Sequence, residues 1–482
     1  MNLEQLFDGL FTARASLATA PMLALGVGVL LLLLCDIVDV LAPARAIAFV
    51  GSILTALYFE LSILTDPLGP VLDGTIVADE ATALFGCLFL AGTLLAWAYG
   101  IGYYRAEAAF KPEHDALMLS ATAGMMLMVG ATDLIVFFVG LELLSLPLYA
   151  LAAFRRARAD SVEAGLKYFL LGAFSSAILL YGTALVYTSA GTVSIVELAR
   201  ADLTSALALS GLALIAASLF FKVSVFPFHL WVPDVYQGSP TPVTMLMATG
   251  TKAAAFGFLI VRLMPVLPAS AATMVALLAL LTMALGNLGA LVQEDVKRML
   301  AYSGIAHAGT LLLVLAGGLA GAEAGATTRA TVYYMGAYVF TATGAFGVLS
   351  LLEADGAHLT KLSSLRGLAR TRPGLAAAMA LFMLSLGGIP ATGGFLGKWF
   401  AFSVLVDAGR IGTAILGALL SVVALGYYLR VIVAMYMQPA EEGGSSPTTG
   451  RRTSAWIATI ACSALVLVTG LVPALLLGPL GG

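Results

Sequence analysis

Charge is scarce in this sequence. Only 11% of its 482 residues are Asp, Glu, Lys or Arg, against about 25% in soluble domains, while 60% are hydrophobic and the mean hydropathy is +1.00. Those values exclude an ordinary soluble protein. Cysteine is scarcer still: Cys35, Cys87 and Cys462 sit in or at the edge of apolar runs, without ligand spacing. They read as small core residues, with no disulfide framework or metal site indicated. The four histidines, at 114, 229, 307 and 358, fall on separate elements, and no dinucleotide-binding loop or soluble domain is visible. A net charge of −3 gives no sign of a nucleic-acid partner. The short alternating segments of a membrane barrel are also missing.

What is present is a series of apolar runs, each near the roughly 20 residues that cross a bilayer core as helix. Fourteen are expected, at 17–36, 43–64, 81–103, 114–132, 133–154, 161–189, 204–236, 240–264, 271–293, 299–320, 327–352, 373–407, 410–437 and 454–478. The first ends without a cleavage-type signal and reads as a retained span. The fold class is therefore an all-α polytopic membrane protein of about 14 transmembrane helices. The longest polar stretches, 353–372 and 438–453, read as loops. With an external N-terminus, fourteen Lys and Arg fall on the cytoplasmic side, whereas Arg14, Arg200, Arg262, Arg329 and Arg410 fall outside. This asymmetry predicts that both termini are external.

Five cations remain within the spans: Lys167, Lys222, Lys252, Lys398 and Arg430. A lysine at the centre of a spanning helix costs about 2.5–3.5 kcal/mol on insertion scales, so such residues usually mark a function. Glu142, in "FFVGLELLSLP", occupies the middle of the fifth run, and Lys167, in "AGLKYFLLG", is its nearest cationic partner by sequence. One reading of that pair is a fixed bridge between two helices. Lys252 has no acidic residue in its own run and Lys222 has only Asp234, twelve residues on at the far end of its run, which favours a functional reading. Lysine can load and release a proton, whereas arginine remains protonated.

Runs 204–236 and 373–407 are too long for one straight crossing. The first contains Pro227 and Pro233, and the second holds Pro390 bracketed by Gly387, Gly388, Gly393 and Gly394. Proline removes an amide donor, and freed backbone groups persist in a membrane only where protein or water satisfies them. Lys222 precedes the first break and Lys398 follows the second. The breaks fall in the seventh and twelfth runs, an odd offset of five. Matching interruptions of this kind point to inverted repeats with ion sites at the breaks. His229 follows Lys222 by seven residues and stands open between proton relay and packing. His307, two turns into the run after "VQEDVKRMLAYSG", could bridge the two repeats.

The stretches "FKVSVFPFHLWVPDVYQGSPTPVT", "EDVKRMLAYSGIAHAG" and "GGIPATGGFLGKW" resemble the antiporter-like membrane subunits of respiratory complex I and of multisubunit cation/proton antiporters. The resemblance covers roughly residues 80 to 440. It implies N-terminal helices over 1–113, two inverted five-helix repeats over 114–264 and 271–437 with broken helices 7 and 12, and a loop and last helix over 438–482. It also implies a hydrophilic axis in the membrane, with Glu142, Lys167, Lys222, Lys252, His307 and Lys398 matching the family's proton-translocating positions. No cofactor is expected in this chain. NADH, FMN, iron–sulfur clusters and quinone would bind other subunits of such a complex. The implied partners are its other membrane subunits and the lipid of a bacterial inner membrane. A cation/proton antiporter subunit and a purely structural membrane subunit are the alternatives.

Overall fold

A computed structural model describes residues 12–38, 43–106, 111–353, 360–439 and 453–481. His358, Arg451, Arg452 and most of the 438–453 loop lie outside them. The apolar runs form α1 (Ala13–Ile37), α2 (Arg45–Thr65), α3 (Glu80–Ala106), α4 (Pro112–Gly130), α5 (Leu134–Ala152) and α6 (Ala159–Ala190). They continue as α7 (Ala206–Val223), α8 (Trp231–Gly238), α9 (Thr241–Ala248) and α10 (Gly250–Phe256). The remainder comprises α11 (Ala272–Leu291), α12 (Val296–Leu319), α13 (Ala324–Leu352), α14 (Pro373–Gly387), α15 (Gly393–Asp407), α16 (Ile411–Met437) and α17 (Thr453–Leu471).

Twelve helical segments among the described residues are long and apolar enough to cross a membrane, against the fourteen expected. The difference lies in two places. Run 114–132 is the helix α4, whose first turn carries Glu113 and Asp115. Run 373–407 is divided between α14 and α15, each of 15 residues. The expected units 114–264 and 271–437 hold α4–α10 and α11–α16 respectively.

Burial sorts the helices into a centre and a rim. The apolar windows of Thr241–Val266 and α13 are wholly buried and that of α12 nearly so, whereas about a third or less is buried in α1, α2, α16 and α17. The rim turns large apolar side chains outward, among them Leu30, Phe174 and Leu419, as lipid-facing helices do. Lys252 and His307 therefore lie on the central helices. Their span, Thr241–Val266, is locally irregular: α9 ends at Ala248, α10 begins at Gly250, and residues 257–263 form a π-helix. Such π-turns recur at functional positions.

Two faces close the bundle. On one, strands β1 (Gly69–Val71) and β2 (Ile76–Ala78) form an antiparallel hairpin pairing Gly69 with Ala78. Asp79 then accepts two hydrogen bonds from the Arg262 guanidinium, each 2.7 Å. Burial would raise the Asp79 carboxyl, but its hydrogen bonds to Arg262 and the guanidinium charge outweigh that and hold it below the usual carboxylate range. The opposite face gathers Arg155, Lys297 and Lys361, where Asp295 and Lys361 form a β-bridge.

Candidate functional site

The intramembrane polar residues begin at Glu142 on α5. It is half-buried and accepts a hydrogen bond from the Ser176 hydroxyl on α6. The α5–α6 hairpin also sets Tyr149 against Tyr168, with ring centroids 4.7 Å apart. This register leaves Lys167 nine residues short of Ser176, about 13 Å along the helix. The expected Glu142–Lys167 pair is consequently not formed. Lys167 reaches Glu163 at 2.7 Å and Asp234 at 3.0 Å instead, and its side chain is 42% exposed. Asp234 also binds Arg298 at 2.7 Å. Glu163, Lys167 and Asp234 line a vestibule of about 410 Å³ on the face that gathers Arg155, Lys297 and Lys361.

Lys222, not Lys167, shares a cavity with Ser176, the hydroxyl bonded to Glu142. Lys222 occupies the last turn of α7, is 4% exposed, and donates to Ser145 Oγ at 2.7 Å and Tyr168 OH at 3.3 Å. Its ammonium also lies 5.3 Å and 5.8 Å from the ring centroids of Tyr168 and Tyr149, within cation–π range. Ser145 is three residues from Glu142, hence on the same side of α5. A cavity of about 10 Å³, measured to the centre of a water-sized sphere, is lined by Ser145, Ser175, Ser176, Ser218 and Lys222. That is room for about one water.

From Lys222 inward, Tyr168 stacks on Trp231 at 4.7 Å, and Trp231 meets Tyr236 edge-on at 6.1 Å. Lys252 lies beyond, 1% exposed, 6.0 Å from the Tyr236 ring, and donates to the Gly304 carbonyl at 2.6 Å. One helical turn along α12, His307 is hydrogen-bonded to Tyr334 OH (2.7 Å) and Tyr428 OH (3.2 Å), so the ring joins α12, α13 and α16. A water-sized cavity lined by His307, Asn287, Thr310 and Tyr427 opens onto Lys398. His229 stays apart: it sits between α7 and α8 beside Phe226, and its buried Nδ1 has no hydrogen-bond partner among the described residues.

Both long runs are interrupted beside a lysine, and the backbone is satisfied differently in each. α7 ends in a Schellman turn, with Ser224 at φ 66° and Val225 N–H donating to the Phe220 carbonyl at 2.9 Å. The Trp231 indole N–H caps the Phe221 carbonyl at 3.0 Å, and Phe226 N–H donates to Thr282 Oγ1 at 3.1 Å. α14 ends in the same turn, with Gly388 at φ 85° and Ile389 N–H donating to the Leu384 carbonyl at 3.0 Å. Here the Lys398 ammonium folds back to cap the Leu386 and Gly387 carbonyls, both at 2.9 Å. Ser145, Ser176, Tyr168, Asp234, Tyr334 and Tyr428 complete the array. Sequence reasoning missed the serines and tyrosines because they carry no charge and their partners are far apart in the chain, and it missed Asp234 because its partner Lys167 lies 67 positions away.

The arrangement is a line of ionisable groups across a buried, mostly apolar core, linked by hydroxyls and water-sized gaps. Its sequence matches the model of the NADH:quinone oxidoreductase/Mrp antiporter transmembrane family over residues 131–424, and the chain belongs to that family. Among its relatives, NADH-quinone oxidoreductase subunit N of Myxococcus xanthus is 40% identical over 95% of each chain. The subunit N of Salinibacter ruber is 47% identical over 68% of this chain and 66% of its own. A chain of respiratory complex I from Thermus thermophilus superposes with a TM-score of 0.80 and 36% identity, covering 95% of this chain and 98% of that one. A chain of the Mrp complex from Dietzia shares the fold with a TM-score of 0.84 at 23% identity, over 97% of this chain and 96% of its own.

Proposed function

We propose that this chain is the proton-translocating, subunit-N-type membrane subunit of a bacterial NADH-quinone oxidoreductase. One observation carries the reading: Lys222, Lys252 and Lys398 are buried in the membrane core, and each is held by neutral hydroxyls or carbonyls. No carboxylate among the described residues forms an ion pair with any of the three. A fixed structural cation would be costly there without a counter-ion. An ammonium that can surrender its proton is not bound to that cost. Glu142 then acts on Lys222 through Ser145, Ser176 and the intervening water-sized gap, and charge passes by way of Lys252 and His307 to Lys398. Lys167 acts from the vestibule, where Asp234 ties it to Arg298. His229 contributes packing at the break.

In this reading the chain has no redox site of its own. Its three cysteines lie on α1, α3 and α17, and we assign NADH, FMN, iron–sulfur clusters and quinone to other subunits. The vestibule lies on the cytoplasmic side and the hairpin on the external side, in keeping with the clustering of Arg155, Lys297, Arg298 and Lys361. Purification in mild detergent through a tag on this chain tests the assignment. Co-purifying flavin and iron–sulfur subunits are the expected outcome, and a set of antiporter-like subunits alone would move the chain to the cation/proton antiporters.

A further inference from the structure

Glu60 is an acid that the axis does not use. It lies on α2, five residues before the helix ends at Thr65, and is 4% exposed. Its carboxyl rests directly on the α3 backbone at Gly86: a Cβ added there would come within 2.3 Å of Glu60 Oε1. No cation pairs with it and no donor hydrogen-bonds to it among the described residues. The carboxyl lines a cavity of about 20 Å³, measured to the centre of a water-sized sphere, beneath the β-hairpin. That is enough for one water. α1 and α4 bring no ionisable side chain to this cavity, and α3 brings Cys87 close by and Thr82 into the wall. Thr82 Oγ1 leads out of the cavity, being 2.8 Å from Asp79 Oδ1 and 2.5 Å from Arg262 Nη2. Asp79 and Arg262 neutralise one another, so no net charge faces Glu60 from that side.

An ionised carboxylate in such a site would forfeit its hydration with no compensating partner, and a group so placed takes up a proton instead. We propose that Glu60 is a separate proton-binding site of this chain, a neutral carboxyl that exchanges its proton with the hairpin-capped face through Thr82 and one water. A protonated carboxyl in an apolar membrane cavity has a distinctive chemistry, addition to a lipophilic carbodiimide. Its proton passes to one carbodiimide nitrogen as the carboxyl oxygen bonds to the central carbon. Acyl migration to nitrogen then leaves a stable N-acylurea, and no further reactant is consumed.

The test uses the assembled complex in sealed vesicles, treated with dicyclohexylcarbodiimide and mapped by mass spectrometry of this chain. Labelling is expected at Glu60, lost in Glu60→Gln, and falling about tenfold per pH unit once the medium at the hairpin face passes the carboxyl's midpoint. The infrared difference between wild type and Glu60→Gln gives a reading that needs no reagent to enter. At neutral pH it should show the carbonyl stretch of a protonated carboxyl, and carboxylate stretches there would overturn the proposal. Thr82→Val should slow the loss of that band several-fold after an alkaline jump. An unchanged rate would remove Thr82 from the route. These outcomes do not depend on whether the complex oxidises NADH, so they stand or fall separately from the proposed function.

Discussion

Arginine at position 222 would preserve the charge and lose the chemistry. Lys222 is confined by Tyr149, Tyr168 and Ser145, and a guanidinium is both wider and unable to release its proton. Lys222→Arg is therefore expected to assemble while losing most of its coupled turnover, read as quinone-dependent NADH oxidation together with proton pumping. Wild-type turnover would point to a fixed electrostatic role. Glu142→Gln keeps an acceptor for Ser176 but removes the charge, so pumping should fall more than the amount of complex does. Normal complex levels with a normal ratio of protons to electrons would remove Glu142 from the mechanism. These residues were legible as rare charges in apolar runs. Their partners were not: Lys167 pairs with Asp234, 67 positions away, and nothing in the local pattern announces Ser145 or Tyr168. Glu60 carried a signal that could have been read, a lone acid within "ALYFELSIL".

At the scale of elements, the interruptions are built features with identifiable supports. Gly388 has φ 85°, and a Cβ there would stand 3.0 Å from Lys398 Cδ. Gly388→Ala should cost about 1–2 kcal/mol of backbone strain and push the ammonium from the carbonyls it caps, lowering both thermal stability and coupled activity. Trp231→Phe leaves the buried Phe221 carbonyl with only the Ser224 N–H at 3.2 Å, a loss of about 0.5–1.5 kcal/mol for the missing indole bond. Faster hydrogen exchange over 220–231 is the expected result, and unaltered exchange would mean that another donor takes over. The prolines and glycines at 227 and 387–394 made the positions of both interruptions readable. They could not say that a tryptophan supports one and a lysine the other, because that depends on where the chain returns. The hairpin cap responds to acid. Asp79 is held below the usual carboxylate range by Arg262 against the effect of burial, so its contribution is present above the unfolded value near 3.9 and is lost as pH falls through the lower folded value. Amides of 69–79 should therefore begin to exchange faster only below about pH 4. Faster exchange already at neutral pH in Asp79→Asn is the matching expectation.

Over the whole molecule, composition alone was enough to read a polytopic helical protein, and the twelve long apolar helices among the described residues agree with that class. The split into a buried centre and a lipid-facing rim was not readable, since α13 and α16 are similarly apolar in sequence yet differ about threefold in buried share. Packing against neighbours, not hydropathy, decides that difference. It places Lys252 and His307 where only a continuous route through the protein can reach them. Gly393→Leu, which the glycine pattern recommends as a plug for the second interruption, would collide with Thr469 of α17 at 2.3 Å. It therefore reports on packing of the last helix as much as on the route. The central claim is that protons cross this chain along the line from Glu142 to Lys398. The most direct measurement is the number of protons pumped per NADH oxidised in sealed vesicles carrying the assembled Lys222→Ala complex. A ratio below that of wild type, with NADH oxidation by an artificial acceptor intact, is the predicted result, and a wild-type ratio would contradict it.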